Sequence, residues 1–200
     1  MKVLFATTNP AKIRRYKDAL EEKGIELITI KDLDFKLNIE ENGKDANENA
    51  YIKAKAYYDA TKIPTIGMDN SLFIEGLPSD KQPGTYVRRV NGKELNDEEM
   101  IEYYSNLVKE YGGKLTAKWI FGMVIYDVNG AKNYSWAKDH FYFVDIPSIK
   151  RNPGYPLESI SIIPEFNKYS VELNDEEKQE YKKRDKVDNV VEFIIKSIQK

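Results

Sequence analysis

Two small polar residues and an acid interrupt an apolar stretch near the middle of the chain. Asp69, Asn70 and Ser71 lie within GMDNSLFIEGL, residues 67–77. Such residues favour a turn, because their side chains hydrogen-bond to the nearby backbone. The alternative is a site, because an aspartate at a strand end can bind a metal ion or act as a base. The local pattern leaves both interpretations open.

A second acidic segment precedes a predicted helix. Glu40 and Glu41 come before a glycine turn, and Asn49 and Lys53 follow four residues apart, which puts them on one helical face. Carboxylate oxygens suit Mg²⁺, and an ammonium group suits the phosphates that such an ion carries. A solvated helix face with ordinary pairing explains the same pattern, so this segment does not decide by itself.

Two further segments could bind phosphate. ATTNPAK, residues 6–12, leads from a strand into a helix, whose N-terminus attracts anions; Thr7, Thr8 and Asn9 could add donors and Lys12 a positive charge. An ordinary capped helix is the alternative. Arg88 and Arg89, in KQPGTYVRR, could clamp phosphate or be plain surface arginines.

Periodicity and capping predict the elements that must position these residues. Strands are expected over 2–7 and 25–30, and helices over 11–23 (Asn9 cap) and 46–61. Residues 63–69 and 72–77 read as two strands with a turn between them. A capped helix follows from 97, then a hairpin at Asn129–Gly130, a helix opened by Asn174 and an amphipathic C-terminal helix. This order predicts a mixed α/β sheet.

Composition limits the class of protein. The chain has 200 residues, a formal net charge of −2 and no cysteine. This length fits one large domain or two small lobes, and the charge provides no overall field for nucleic acid. No thiolate metal site is possible, and no apolar run is long enough for a membrane span. We therefore expect a cytoplasmic protein.

The order and spacing of these motifs resemble the inosine/xanthosine triphosphate pyrophosphatase (Ham1-like) family. ATTNPAK is similar to that family's A-T-G-N-x-x-K, and EENG with ENAYIKAKA to its E-T-G and E-N-A-x-x-K-A. GMDNSLFIEGL is similar to D-D-S-G-L, read as strand–turn–strand, and PGTYVRR to P-G-x-Y-S-x-R. NPGYPL, which contains Tyr155, stands where the family has G-F-G-Y-D-P, and EEKQEYKKR where it has E-E-K-x-x-x-S-H-R.

The resemblance implies a fold and an activity. The fold is an ITPase-like α/β domain over residues 1–200, of the anticodon-binding type, with an elongated mixed β-sheet flanked by helices and two lobes around a central cleft. The reaction is hydrolysis of a nucleoside triphosphate to the monophosphate and pyrophosphate with Mg²⁺. A homodimer is expected, and neither nucleic acid nor membrane is a partner.

The resemblance also assigns residues. Glu41 and Asp69 bind the metal, and Asp69 is the metal ligand or water-activating base. The substrate contacts are expected from Thr7, Thr8, Asn9, Lys12, Asn49, Lys53, Asn70, Ser71, Arg88, Tyr155, Lys183 and Arg184. Lys12, Lys53 and Arg184 neutralise the leaving pyrophosphate.

The chain departs from the family at specific positions. Met68 replaces the first aspartate of D-D-S-G, which predicts one carboxylate fewer in the metal cluster. Pro153 and Pro156 replace the base-stacking aromatic and the acid, and Lys182 and Lys183 replace the S-H pair that reads the 6-keto base. We therefore expect the triphosphate chemistry to be kept and the selectivity for 6-keto purine bases to be weak. The alternatives are an enzyme of this fold for another nucleotide, a nucleotide-binding protein with little turnover, and a structural module.

Overall fold

A computed structural model describes residues 1–184 and 187–198 of the chain, apart from the side chains of residues 182, 184, 187 and 188. Five α-helices and nine β-strands occur in these ranges. The strands are β1 (Lys2–Phe5), β2 (Glu26–Thr29), β3 (Thr65–Ile74), β4 (Arg89–Val90), β5 (Lys93–Glu94), β6 (Lys114–Asp127), β7 (Gly130–Val144), β8 (Ser161–Ile163) and β9 (Lys168–Tyr169). The helices are α1 (Pro10–Glu21), α2 (Ala46–Thr61), α3 (Asp97–Glu110), α4 (Asp175–Arg184) and α5 (Val187–Ile198).

Seven of these strands form one mixed sheet in the order β2-β1-β3-β6-β7-β8-β9. β1 is parallel to both β2 and β3, with Val3 opposite Leu27 and Leu4 opposite Thr65. β8 is antiparallel to β7 and β9. β4 and β5 form a separate antiparallel pair. The expected mixed α/β sheet, combining β-α-β units with antiparallel strands, is confirmed.

The chain divides into two compact units. The first contains residues 1–70, 121–136 and the described part of the C-terminal helix. Its main apolar cluster joins β1 and β3 to α1 and α5, with Tyr16, Leu20 and Ile194 fully buried. A smaller cluster packs α2 on the sheet through Ala50, Ala54 and Val124, so α2 covers the opposite face.

The second unit contains residues 71–120 and 137–184. Its core packs α3 against strand residues of the sheet, with Tyr104, Val108 and Phe143 among the most buried side chains. The hydroxyl of Tyr104 donates to the Val87 carbonyl oxygen at 2.9 Å, which satisfies the one polar atom of that ring. Each unit thus has its own core, whereas a single domain with two lobes around a cleft stays a prediction.

The capping signals of the sequence are confirmed. The Asn9 side chain accepts from the Ala11 amide at 2.9 Å, and Pro10 is the first residue of α1. Asn96 and Glu99 form a reciprocal capping box at α3, and Asn174 and Glu177 exchange the same bonds at α4. β6 ends at Asp127, β7 begins at Gly130, and the two strands are adjacent in the sheet, as the hairpin signal at Asn129–Gly130 predicts.

The expected turn at Asp69–Ser71 is wrong. β3 is one strand of ten residues that runs through all three polar positions, so Asp69 lies inside a strand and not at its end. The adjacent β6 is fourteen residues long, and Leu72 exchanges two backbone hydrogen bonds with Gly84 at 2.8 and 3.1 Å. Ladder bonds from neighbours outweigh the weak local preference of Asp, Asn and Ser for a turn.

Candidate active site

Helix α2 lies unusually close to β3. Gly67 has no side chain, and a Cβ there would lie 2.0 Å from the Ala50 carbonyl oxygen and 2.9 Å from the Ala54 nitrogen. The α2 residues at this contact are alanines with no measurable exposure. The helix backbone therefore rests on the strand, and longer α2 side chains beside this contact reach the same sheet face.

Asp69 occupies that face, because alternate residues of a strand point to the same side. Met68 points to the opposite side, where it is 2% exposed and belongs to the apolar cluster with Phe5 and Ile66. The Met68 side chain therefore supplies no ligand atom to the cluster, in line with the prediction of one carboxylate fewer at this position. A methionine there fills the core, and its thioether does not compete with Asp69.

Lys53 joins the two predicted acids. Its ammonium nitrogen lies 2.8 Å from Glu41 Oε2 and 3.6 Å from Asp69 Oδ1. The side chains of Lys53 and Asp69 are each 13% exposed and that of Glu41 is 26% exposed, so these charges are partly shielded from water. Carboxylates from two separate segments of the chain thus converge on one cation, which a solvated helix face would not require.

Asn49 fixes the other oxygen of Asp69. Its Nδ2 donates to Asp69 Oδ2 at 2.9 Å, and its Oδ1 accepts from the Gly43 amide at 2.8 Å. Asn49 is 1% exposed, so both ends of a buried amide are satisfied. Asn49 is enclosed and both of its amide atoms are hydrogen-bonded within the protein. It therefore presents no exposed atom for the substrate contact expected from the sequence.

Lys12 adds a second cation from the first turns of α1. Its Nζ donates to the Met68 carbonyl oxygen at 3.4 Å. Burial of the ammonium, together with the nearby charge of Lys53, lowers the pKa of Lys12 from 10.5 to about 8, although Asp69 and Glu41 act in the opposite direction. The four charged groups therefore interact with one another, and the lowered pKa means that Lys12 loses its proton at a lower pH than an ordinary lysine.

The remaining residues predicted in the first unit have simpler settings. Thr7 Oγ1 accepts from the Asn9 amide at 3.1 Å, Asn9 caps α1, and Thr8 is exposed. Asn70 is half-buried in β3. Of these, Asn9 is committed to the helix cap, whereas the exposed Thr8 hydroxyl borders the α1 N-terminus.

Other predicted residues belong to the second unit. Ser71 is half-buried, Tyr155 immediately precedes a short 3-10 turn, and Lys183 is exposed on α4. The Arg184 side chain lies outside the described residues. Arg88 is neither a free phosphate clamp nor a bare surface arginine, because it donates to Asp97 Oδ1 at 2.8 Å and to the Leu95 carbonyl oxygen at 2.9 Å.

Asp97 is a residue that the sequence patterns missed. One oxygen binds Arg88, and the other accepts from the Gly154 amide at 2.9 Å. It thereby ties PGTYVRR to NPGYPL, two motifs that lie far apart in the chain. The sequence shows only that Asp97 lies in the first turn of a predicted helix, where the helix dipole alone explains an acidic residue.

The donor set allows a narrow range of metal chemistry. Among residues 1–184 and 187–198, no group of three His, Cys, Asp or Glu side chains is placed to hold an ion. The two carboxylates of Glu41 and Asp69 do converge, and Mg²⁺ is commonly held by one or two carboxylates plus substrate phosphates and water. The residues fit Mg²⁺ delivered with a polyphosphate, and they do not form a complete cage by themselves.

Comparison with known proteins places the chain in a family. A model of the Ham1 family matches residues 3–189. The chain belongs to the Ham1 family. This Ham1-family chain is 30% identical over 209 residues to the dITP/XTP pyrophosphatase of Aquifex aeolicus (strain VF5), covering 100% of this chain and 99% of that one. A dITP/XTP pyrophosphatase of Thermus thermophilus is 28% identical over 93% of this chain and 87% of its own.

Solved structures agree on the fold. The Staphylococcus aureus Ham1 protein superposes with a TM-score of 0.77 at 21% identity and covers 98% of this chain and 99% of its own. The sheet and helices described above are thus those of other Ham1 proteins. Within the described ranges, none of the Ham1-family chain's helices is long and apolar enough to cross a bilayer.

Proposed function

We propose that this protein hydrolyses noncanonical purine nucleoside triphosphates, ribo or deoxy, to the monophosphate and pyrophosphate with Mg²⁺. The observation that carries the proposal is the convergence of Glu41 and Asp69 on Lys53, with Lys12 close enough for its charge to interact with all three. Relatives named dITP/XTP pyrophosphatases support the substrate class. Alternating carboxylates and ammonium groups are what a metal–polyphosphate needs.

The proposed roles follow from position. Glu41 and Asp69 would hold Mg²⁺, which when bound would neutralise and polarise the phosphate oxygens. Lys53 would move from the carboxylates to phosphate oxygens, and Lys12 would bind the same phosphate chain next to the N-terminus of α1. Thr8 would donate there as well. These cations stabilise the negative charge that grows on the departing pyrophosphate.

Asp69 is the proposed base. It would orient a water molecule whose oxygen bonds to the α-phosphorus while its proton passes to the carboxylate. The bond between the α-phosphorus and the bridging oxygen breaks, and pyrophosphate leaves with that electron pair. The amide of Asn49, 2.9 Å from Oδ2, restricts rotation of the carboxylate and keeps the other oxygen directed at the site.

Discrimination between bases should be weak. Lys182 and Lys183 stand at the positions of the family's base-reading pair, and Pro153 at that of its stacking aromatic. A pocket without matched donors and acceptors loses little when the wrong base enters. Substrate preference should therefore spread over ITP, XTP and their deoxy forms, with a smaller margin over ATP and dGTP than a matched pocket would give.

A pyrophosphate-release assay tests the proposal. The panel is ITP, dITP, XTP, dGTP, ATP and one modified pyrimidine triphosphate, each with Mg²⁺ and with excess EDTA. We expect release from the noncanonical purines, its loss in EDTA, and its loss in Asp69→Asn with an unchanged melting temperature. If no nucleotide is hydrolysed but some raise the melting temperature, the protein is a nucleotide-binding protein instead.

We also propose a cytoplasmic homodimer. The basis is the likeness to the family. Light scattering coupled to size exclusion should give twice the chain mass of 23.2 kDa. A mass of one chain at micromolar concentration would remove the dimer from the proposal.

A further inference from the structure

Asn49 is a fully buried polar residue at the centre of the acidic cluster. Its two amide atoms have different partners on different segments: the Asp69 carboxylate on β3 and the Gly43 amide in the loop before α2. A carboxylate can only accept in this contact and a backbone amide can only donate. The orientation of the Asn49 amide is therefore fixed, and the position requires a donor and an acceptor at once.

The segment that carries Glu41 has little structure of its own. Residues 36–43 contain no helix or strand, and position and direction must come from contacts with the rest of the protein. The backbone contacts described there are Leu37 N–H to the Tyr57 hydroxyl at 3.3 Å and Gly43 N–H to Asn49 Oδ1. The second lies close to Glu41 in the chain.

Gly43 gives independent evidence that this loop is tightly seated. A Cβ at position 43 would lie 2.6 Å from Glu48 Cβ and 2.8 Å from Asn49 Oδ1. A side chain would therefore lift the loop away from α2 and stretch the hydrogen bond to Asn49. Gly43 and Asn49 fit each other, and their contact holds the backbone two residues after Glu41, whose side chain is bonded to Lys53.

We propose that Asn49 is a positioning residue, which holds the Glu41 loop and the Asp69 carboxylate in register through one amide group. The proposal rests on the proposed function, because the register matters for a metal–phosphate bound by both acids. Asn49 itself touches neither substrate nor metal. The partners of metal-ligating groups commonly alter metal affinity or activity by about 10- to 100-fold when they are changed.

Three variants separate the two hydrogen bonds of Asn49, one to the Gly43 amide and one to the Asp69 carboxylate. Asn49→Asp keeps an acceptor for the Gly43 amide and loses the donor to Asp69. Gly43→Ala disturbs the loop contact and leaves the Asn49–Asp69 bond. Asn49→Ala loses both. The matched control is Asp45→Ala, which removes the N-cap of α2 (Asp45 Oδ1 accepts from Glu48 N–H at 2.9 Å) and neither bond of Asn49.

The first readout is the Mg²⁺ dependence of pyrophosphate release. We expect Gly43→Ala to raise the half-saturating Mg²⁺ concentration and to lower kcat, each by about tenfold or more. Asn49→Asp should lower kcat by a similar factor without that rise, because its added carboxylate lies beside Asp69 and attracts the ion. Asp45→Ala should lower the melting temperature with both values within about twofold of wild type. The double variant Gly43→Ala, Asn49→Ala should lose no more kcat than Asn49→Ala alone, because both substitutions remove the same hydrogen bond between Gly43 and Asn49.

The second readout does not depend on hydrolysis. The natural chain has no cysteine, so a nitroxide on Glu40→Cys, at an exposed loop position, is the only label. Its spectrum should become more mobile in Asn49→Ala and Gly43→Ala, and stay as in the parent in Asn49→Asp and Asp45→Ala. Unchanged mobility in Asn49→Ala and Gly43→Ala would overturn the proposal, even if activity were lost.

The two readouts distinguish failure of this proposal from failure of the proposed function. If the wild-type protein hydrolyses no nucleotide while the label responds as expected, the loop anchor stands and the enzymatic function falls. If hydrolysis is present and Asn49→Asp keeps the kcat of the wild type, Asn49 is only a buried structural residue. Should Asn49→Ala fail to fold, Asn49→Asp and Gly43→Ala still test both hydrogen bonds.

Discussion

At the scale of single residues, the cluster is an electrostatic balance between two lysines and two acids. Glu41 and Asp69 share one ammonium, and the second lysine is enclosed with a lowered pKa. Breaking such a partly buried group by removing one member leaves an uncompensated charge. Substitutions that leave one of these charges without a partner should therefore lower stability as well as metal and phosphate binding.

Lys12 should give the pH profile a descending limb. Its pKa of about 8 means that the charged form, which binds phosphate, is lost as pH rises through that value. We expect kcat/KM, which reports the free enzyme, to fall above about pH 8. Lys12→Arg keeps its charge at all these pH values and should lack this limb, whatever its absolute rate. A limb that persists unchanged in the arginine variant would assign it to another group.

The same group affects stability with a defined sign. The pKa of Lys12 is lower in the folded state than the ordinary value of 10.5, so the unfolded chain binds more protons between about pH 8 and 10.5. The contribution of Lys12 to the free energy of unfolding therefore increases over this range. Urea unfolding of the wild type relative to Lys12→Met should show that rise, and a falling difference would contradict it.

Lys53→Met should separate phosphate binding from metal binding. The variant leaves Glu41 and Asp69 without the cation between them, and their mutual repulsion should strengthen the binding of Mg²⁺ alone. Thermal shift with Mg²⁺ and no nucleotide should be larger than in wild type. Turnover should fall by about 10²–10³-fold through loss of a charge-stabilising donor. A smaller Mg²⁺ shift would show that Lys53 helps to hold the acids for the ion.

At the scale of elements, the site depends on how closely α2 approaches the sheet. Gly67 and Gly122 both lie against the α2 backbone; a Cβ at Gly122 would lie 2.6 Å from the Ala46 carbonyl carbon and from the Asn47 nitrogen. Small residues on two neighbouring strands thus let the helix descend until Lys53 and Asn49 reach Asp69. The two glycines therefore determine the distance between α2 and the sheet, and this short distance allows the polar side chains of α2 to contact Asp69.

Gly67→Ala tests whether the close approach of α2 to β3 requires a glycine. The added methyl would lie 2.0 Å from a carbonyl oxygen, so helix or strand must shift, at a cost of about 3 kcal/mol or more. Gly24→Ala is the control, since nothing lies within 4 Å of its Cβ and only its φ of +74° is unfavourable, which costs about 1–2 kcal/mol. Urea unfolding measures both. Equal losses would mean that the approach of α2 to β3 tolerates a side chain.

At the scale of the whole molecule, two compact units share three strands. β3 contributes Ile66 to the core of the first unit and Leu72 to that of the second, and β6 and β7 run through both in the same way. Because a strand cannot lose its ladder over half its length without loosening the rest, the units should unfold together. This coupling would keep Asp69 on β3, and Glu41 in the loop before α2, in place until the whole chain unfolds.

Phe143→Ala tests that coupling. Phe143 has no measurable exposure in the second unit, so its truncation should cost about 3–5 kcal/mol. Amide exchange should then accelerate both in α3 and in β1, which belongs to the first unit. Val128→Ala, at a position that is 84% exposed, should change neither. Acceleration confined to α3 would show that the units unfold separately.

The sequence by itself determined most of the local structure and the membership of the cluster. Helix caps at Asn9 and Asn96 and the Asn129–Gly130 hairpin depend on contacts within a few residues, which the chain specifies directly. Glu41, Lys53 and Asp69 were assigned through the resemblance of their motifs to those of the family, because the residue types alone left a turn or a solvated helix face equally open. These features need no knowledge of distant partners.

Only the tertiary structure decided how those residues are used. It extended β3 through Asp69, directed Met68 into the core, enclosed Asn49 between Gly43 and Asp69, and gave Arg88 to Asp97. Each outcome depends on a partner distant in the chain or on which face of the sheet is covered. Local preferences of side chains amount to fractions of a kcal/mol, so long-range packing and hydrogen bonding outweigh them.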